Sequence, residues 1–264
     1  MPEVIRRGID YSTGPGRTPT LLDLYLPDGV ARPPLVVWIH GGAFVSGDRV
    51  NLPPTLSPGS VFGALTAAGL GCASVDYRLA PAARYPAPIA DVRAALAFLR
   101  ERAGRYGYDG TRIGVWGESA GGLLALLAGL TVPGVRAIVG WYPITDILAL
   151  PAFTDAASLA EVPEIALFDA SPKAVPDLAA EASPITHVTE LAPPTLLVHG
   201  DADPEVPLSQ SLRFRERMEQ AGVDVTLRVV PDAGHCFAGY RDIPGLIKEA
   251  VEFFAQRLGG PQAP

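Results

Sequence analysis

The sequence predicts an α/β fold: a mostly parallel central sheet, helices on both faces and a small cap-like insertion. Three observations predict it. Short β-branched, apolar segments alternate with helix-length segments over most of the 264 residues, as expected when parallel strands are joined by crossover helices. One segment, Pro34-Leu35-Val36-Val37-Trp38-Ile39-His40, is apolar almost throughout, the mark of a strand covered on both faces. A third segment, Thr111-Arg112-Ile113-Gly114-Val115-Trp116, runs into Gly117-Glu118-Ser119-Ala120-Gly121 and then into a buried-helix sequence at 122–128. That is a strand, a sharp glycine-flanked turn presenting a serine, and a helix.

In chain order, the first predicted strand is Leu21-Leu22-Asp23-Leu24-Tyr25-Leu26-Pro27, closed by a Pro27-Asp28-Gly29 turn. The 34–40 strand is followed by a short helix near 59–68 and a strand at 71–75. A long amphipathic helix over 88–105 carries Ile89, Val92, Leu96 and Leu99 on one side, with Arg93, Arg100 and Glu101 elsewhere. The Ile113 strand, the Ser119 helix and a strand at 135–139 come next. Residues 143–190, rich in Pro, Ala, Asp and Ser, break the rhythm. They are expected to be an insertion lying over the sheet edge that exposes Ser119, within a single domain spanning 1–264. The alternation resumes with a strand at 194–198, a helix at 209–221, a strand at 225–230 and a helix at 244–258.

Composition narrows the functional classes. A hydrophobic content of 48% with 19% charged residues describes a globular chain. A net charge of −7 without a Lys/Arg cluster argues against nucleic acid and anionic membranes as partners. The opening Met1-Pro2-Glu3-Val4-Ile5-Arg6-Arg7 has no apolar stretch of signal-peptide length, and the longest uncharged run, 119–135, contains Pro133. A soluble, cytoplasmic protein is expected. Cys72 and Cys236 fit no metal or disulfide spacing. The glycine-rich turns match no dinucleotide or P-loop fingerprint, so no cofactor is expected.

A serine hydroxyl becomes a strong nucleophile when a histidine takes its proton and an acid orients that histidine. Of the four histidines, His235 lies in the loop Pro231-Asp232-Ala233-Gly234-His235-Cys236-Phe237, after the last predicted strand. It is the expected base, given the chain order Ser, Asp, His. The acid belongs on the loop His199-Gly200-Asp201-Ala202-Asp203-Pro204-Glu205, where Asp201, Asp203 and Glu205 all stand. An oxyanion needs backbone donors, and His40-Gly41-Gly42-Ala43-Phe44 follows the 34–40 strand where such a loop should be. The N–H of Ala120 is expected to add one more. His40, His187 and His199 read as structural residues bonding the backbone.

These pieces resemble the α/β-hydrolase-fold carboxylesterases, in particular the hormone-sensitive-lipase-like and feruloyl-esterase-like branch. The resemblance rests on His40-Gly41-Gly42-Ala43-Phe44, Asp76-Tyr77-Arg78-Leu79-Ala80-Pro81, Gly117-Glu118-Ser119-Ala120-Gly121-Gly122 and Ser183-Pro184-Ile185. It extends to His199-Gly200-Asp201-x-Asp203-x-x-Val206-Pro207 and Gly234-His235. It implies a serine hydrolase of carboxylic esters with nucleophile Ser119, acid Asp203 and base His235. Oxyanion donors would come from Gly41, Gly42 or Ala43, together with Ala120. Two departures from the hormone-sensitive-lipase pattern stand out: Ala43 replaces a third glycine, and Glu118 replaces an aspartate before the serine. The expected substrate is a small ester with a short or medium acyl chain, and the last strand offers an edge for a homodimer. Amide or peptide cleavage, as in an arylformamidase-like enzyme, shares the same attack. A non-catalytic ligand-binding member of the fold is the reading from a different class.

Overall fold

The computed structural model describes residues 3–12, 19–150 and 163–259. Its centre is an eight-stranded sheet. In chain order the strands are β1 (Glu3–Asp10), β2 (Leu21–Pro27), β3 (Leu35–Ile39), β4 (Gly71–Val75), β5 (Ile113–Glu118), β6 (Val135–Trp141), β7 (Thr195–Gly200) and β8 (Val225–Val230). They lie side by side as β1-β2-β4-β3-β5-β6-β7-β8. β1 pairs antiparallel with β2 and β2 with β4, while every pair from β4 to β8 is parallel. The sequence pattern did not predict β1. It is an edge strand of largely exposed residues, with even Val4 and Ile5 at 44% and 40% exposure, so no buried face imposes an apolar alternation.

Helices α1 (Ser60–Ala67), α2 (Ala87–Tyr106), α3 (Ala120–Thr131), α6 (Ser209–Gln220) and α7 (Ile243–Leu258) cover the sheet. Two shorter helices, α4 (Pro163–Phe168) and α5 (Pro176–Glu181), fall within 143–190. The pleat divides the core in two. Leu35, Val37 and Ile39 of β3, with Val115, Ile138 and Leu197, face α2, α3 and α6. Val36 and Trp38, with Trp116, Val139, Trp141 and Val198, face α1 and α7. All three tryptophans of the chain lie on that second face. Trp38 sits opposite Trp116 in the β3–β5 register, and their rings meet edge to face at 5.4 Å. Trp116 and Trp141 meet similarly at 4.9 Å. Such pairs are favoured by about 0.5–1.5 kcal/mol beyond their buried area, and they fix β3, β5 and β6 in register beneath the strand ends.

Each helix has a local reason. α2 stops at Gly107, whose φ of 88° is the left-handed conformation that closes a helix. α7 starts where Asp242 accepts from the Gly245 N–H at 3.0 Å, with a proline in the first turn. α3 is buried from Ala120 through Gly129, so its sequence is apolar on every side.

Chain direction across the sheet reverses at β3. β4 lies on one side of it and β5 on the other, so the loops leaving β3 and β5 diverge and open a crevice at their carboxyl ends. Ile39 pairs with Gly117, which brings the His40–Phe44 loop and the Ser119 turn side by side. The described parts of 143–190 pack against α3, α6 and the start of α2. Thr145 bonds Gln210, Ile147 N donates to Ser183 Oγ at 3.0 Å, and Tyr85 N donates to the Leu167 carbonyl at 2.9 Å. The expected insertion also includes 151–162, which lie outside the described residues.

Candidate active site

Ser119 is held in a conformation that few residues adopt. It sits between β5 and α3 with φ 53° and ψ −122°, a backbone strain of about 1–3 kcal/mol that surrounding structure must offset. The Ser119 N–H donates to the Trp141 carbonyl at 2.9 Å, and its own carbonyl accepts from Leu123 N at 3.1 Å. The flanking glycines are required by contact. A Cβ on Gly121 would lie 2.2 Å from the carbonyl oxygens of Ile39 and His40, and one on Gly117 would lie 2.0 Å from the Gly121 oxygen.

The structure brings the three residues of the expected triad into one line. His235 Nε2 is 3.0 Å from Ser119 Oγ, and His235 Nδ1 is 2.8 Å from Asp203 Oδ2. The other Asp203 oxygen accepts from the backbone N–H groups of Glu205 and Val206, both at 2.9 Å. A carboxylate can only accept, so it keeps the proton on His235 Nδ1 and leaves Nε2 free to receive one from the serine. Of the three acids on this loop, Asp203 is the one bonded to Nδ1. Asp201 instead accepts from the Asp232 N–H at 2.7 Å, a loop-bracing bond. Glu205 stands at the mouth, 3.8 Å from His235 Nε2.

The titration properties follow from these contacts. Burial pushes the Asp203 carboxyl up, but the adjacent His199 ring and the hydrogen bond from His235 more than offset this and leave it well below the usual carboxylate range. Burial also pushes His235 down. Asp203, followed by the Glu205 and Glu118 carboxylates, outweighs that and raises the imidazole above its ordinary 6.5. The Cys236 thiol is driven up to about 12, chiefly by burial, which makes it a poor nucleophile.

The glycine-rich loop departs from expectation at one position. The Gly41 N–H is bonded to Glu118 Oε1 at 2.5 Å. Gly41 is therefore not an available oxyanion donor, because its N–H already donates to the buried carboxylate one residue before the nucleophile. Gly42, Ala43 and Ala120 remain as candidate donors. Residues 42, 43 and 44 have φ of 95°, 56° and 65°, a left-handed run that turns the loop sharply after Gly41. Tyr77 braces it from below. Its hydroxyl lies 3.0 Å and 3.2 Å from the carbonyls of His40 and Gly41, and its ring stacks on His40 at 4.3 Å. The neighbouring residues of that segment lock the same region, with Arg49 bridging Asp23 and Asp76, and Arg78 paired to Asp91.

The remaining histidines make structural bonds. His40 Nδ1–H donates to the Gly41 carbonyl at 2.8 Å, and burial lowers its basicity. His187 Nε2 meets the Glu181 carbonyl at 2.7 Å. His199 Nε2–H donates to the Val206 carbonyl at 2.8 Å, and Nδ1 accepts from Ser211 at 2.7 Å. Sequence reasoning missed two contributors. Tyr142, buried after β6, packs its ring edge to face on His235 at 4.8 Å. Glu118 was visible only as a departure from a motif. A cavity of about 370 Å³ opens over Ser119, walled by Gly42, Ala43, Asn51, Leu52, Glu205 and Cys236 among others. The described part of 143–190 supplies none of that wall. Among the described residues, no cluster of His, Cys, Asp or Glu could hold a metal, and no helix is long and apolar enough to cross a membrane.

Known proteins are similar to this chain. The chain is 34% identical over 251 residues to Esterase LipC of Mycobacterium tuberculosis, covering 89% of this chain and 60% of that protein. It is 33% identical over 250 residues to Esterase LipQ of the same organism, covering 86% and 56%. The chain thus spans less than two-thirds of the length of these relatives. A truncated form of a carbohydrate esterase from gut microbiota superposes with a TM-score of 0.82 at 27% identity, covering 97% of this chain and 96% of that one. With an α/β-hydrolase sheet and a match to the BD-FAE family over residues 22–218, the chain belongs to that family.

Proposed function

We propose that the protein is a serine hydrolase that cleaves carboxylic esters with short to medium acyl chains through an acyl-enzyme. The observation that carries this reading is the unbroken line from Asp203 through His235 to Ser119, at 2.8 and 3.0 Å. His235 Nε2 takes the hydroxyl proton as Ser119 Oγ bonds the ester carbon. The carbonyl electron pair moves onto oxygen, and the N–H groups of Gly42, Ala43 and Ala120 donate hydrogen bonds to that oxyanion. As the bond to the alcohol breaks, the imidazolium returns its proton to the leaving oxygen. Water then enters, loses a proton to His235 and attacks the acyl carbon, and Ser119 leaves with that proton. The esterase names of the mycobacterial relatives agree with this chemistry, and the cavity of about 370 Å³ suits a small acyl group.

The same proposal treats the chain as one α/β domain into which residues 143–190 are inserted. It also takes the protein as cytoplasmic and as a homodimer through the β8 edge, where β8 pairs only with β7 among the described residues.

The test is Ser119→Ala in an assay with p-nitrophenyl esters from acetate to octanoate. Activity should fall below about 1% of wild type, as expected for loss of an activated nucleophile. A fluorophosphonate probe should label the wild type and not the variant. A wild-type protein that neither hydrolyses these esters nor takes the probe overturns the reading.

A further inference from the structure

Glu118 precedes the nucleophile, is almost wholly buried at 5% exposure, and takes no part in the proton transfers above. Glu118 links two walls of the site. One carboxylate oxygen takes the Gly41 N–H at 2.5 Å, and its backbone pairs with Trp141, the residue before Tyr142, in the β5–β6 register. The approach to Gly41 is so close that a Cβ there would lie 2.4 Å from Glu118 Oε1. Both walls are strained on the side that faces the chemistry. Ala43 and Phe44 follow Gly41 at φ 56° and 65°, and Tyr142 has φ 36° while its ring packs on His235 at 4.8 Å. Non-glycine residues stay in such conformations only when neighbouring contacts hold them there.

The other groups facing the carboxylate are His235 and Cys236 from the loop after β8 and Tyr77 from the segment after β4.

Resting on the ester-hydrolase reading, we propose that Glu118 is a positioning residue, clamping the oxyanion loop through Gly41 to the Tyr142 wall that seats His235. Its reach sets the function. Aspartate is shorter by one carbon–carbon bond, about 1.5 Å, and does not reach the Gly41 N–H from the same backbone position. Glutamine has the reach, with an amide oxygen that accepts from the Gly41 N–H.

The test compares wild type with Glu118→Gln, Glu118→Asp and Glu118→Ala. It measures kcat and KM on a p-nitrophenyl ester and Ki for a trifluoromethyl ketone, whose adduct with Ser119 carries the oxyanion. Asp and Ala should lower kcat by about 10- to 100-fold with KM within about threefold, because the loop's donors act on the transition state. Ki should rise in step with the loss in kcat/KM. Glutamine should recover at least about tenfold of the rate that alanine loses. Thermal melts identify any variant that fails to fold. In that case the Gly41 amide resonance of ¹⁵N-glycine-labelled wild type and Glu118→Gln decides: a hydrogen bond to a carboxylate shifts that proton downfield, and the substitution moves it upfield.

An aspartate variant with wild-type kcat, a Ki that does not follow kcat/KM, a glutamine variant as slow as alanine, or an unmoved Gly41 resonance each overturns the proposal. Failure of the hydrolase reading looks different. Wild type then shows neither turnover nor fluorophosphonate labelling, while the Gly41 resonance still reports on the clamp.

Discussion

Glu205 holds its carboxylate 3.8 Å from His235 Nε2, the nitrogen that faces Ser119. It is a charge on the rim of the site, 69% exposed at its side chain, and it stabilises the imidazolium from the substrate side. The base must be neutral to accept the serine proton, so kcat/KM should fall as pH drops through a midpoint above 6.5, where the site's carboxylates hold His235. Glu205→Gln removes one of them. Its acid limb should therefore move to lower pH, and the difference from wild type should shrink in high salt, since an exposed charge is screened. Identical pH–rate profiles for the two proteins at low salt would refute the coupling.

Asp203 and Asp201 stand two residues apart, and only one meets the imidazole. Asp203→Asn should lower kcat by about 10³- to 10⁴-fold, because an amide no longer fixes the proton on Nδ1. Asp201→Asn should stay within about threefold of wild type, since its amide oxygen can still accept from the Asp232 N–H, and a loop-bracing bond contributes only about 0.5–1.5 kcal/mol. A reversed order, measured as single-turnover acylation, would reassign the acid.

That choice marks the boundary of what the sequence made legible. Ser119, His235 and the His40–Phe44 loop were readable because each chemistry demands a residue type beside a strand end, and the strands announce themselves by apolar runs. Asp201 and Asp203 satisfy that demand equally, and the choice between them depends on which carboxylate the fold carries to His235. The capture of the Gly41 N–H was beyond reach for a similar reason. It depends on a bond across 77 residues between the loop after β3 and the end of β5, which local patterning does not encode. Tyr142 reads as an ordinary aromatic at a strand end until its ring is found against His235. β1 stayed hidden because an exposed antiparallel edge needs no apolar periodicity.

Burial, opposed only in part by the Gly41 bond and by His235, raises the Glu118 carboxyl from 4.5 to about 7. An acid whose value rises on folding contributes stability that is complete below the unfolded value and lost as pH climbs through the folded one. The wild-type protein should therefore lose stability between about pH 4.5 and 7 from this group, by on the order of 3 kcal/mol. Glu118→Gln carries no such titration. Its melting temperature relative to wild type should be several degrees more favourable at pH 8 than at pH 5, at about 2–4 °C per kcal/mol for a chain of this size. A difference that does not change with pH would mean that Glu118 ionises as freely in the folded protein as in the unfolded one.

Two glycine-to-alanine substitutions in helices should act in opposite directions, and the contrast isolates the role of the turn. At Gly121 the added methyl would lie 2.2 Å from the Ile39 and His40 carbonyl oxygens. Those are backbone atoms of β3 and its loop, so no side chain can swing aside, and either α3 or the oxyanion loop must shift. Gly121→Ala should destabilise the protein by at least about 2 kcal/mol and lower kcat, because a displacement of about 1 Å at the loop costs on the order of 10²-fold. Gly104 lies exposed in α2 with nothing within 4 Å of a Cβ. Gly104→Ala should stabilise by about 0.5–1 kcal/mol through helix propensity alone, without touching kcat. Urea denaturation and p-nitrophenyl ester turnover on the two variants check both signs. If Gly121→Ala melted and turned over like wild type, β3 and α3 would not be in the contact that sets the oxyanion loop beside Ser119.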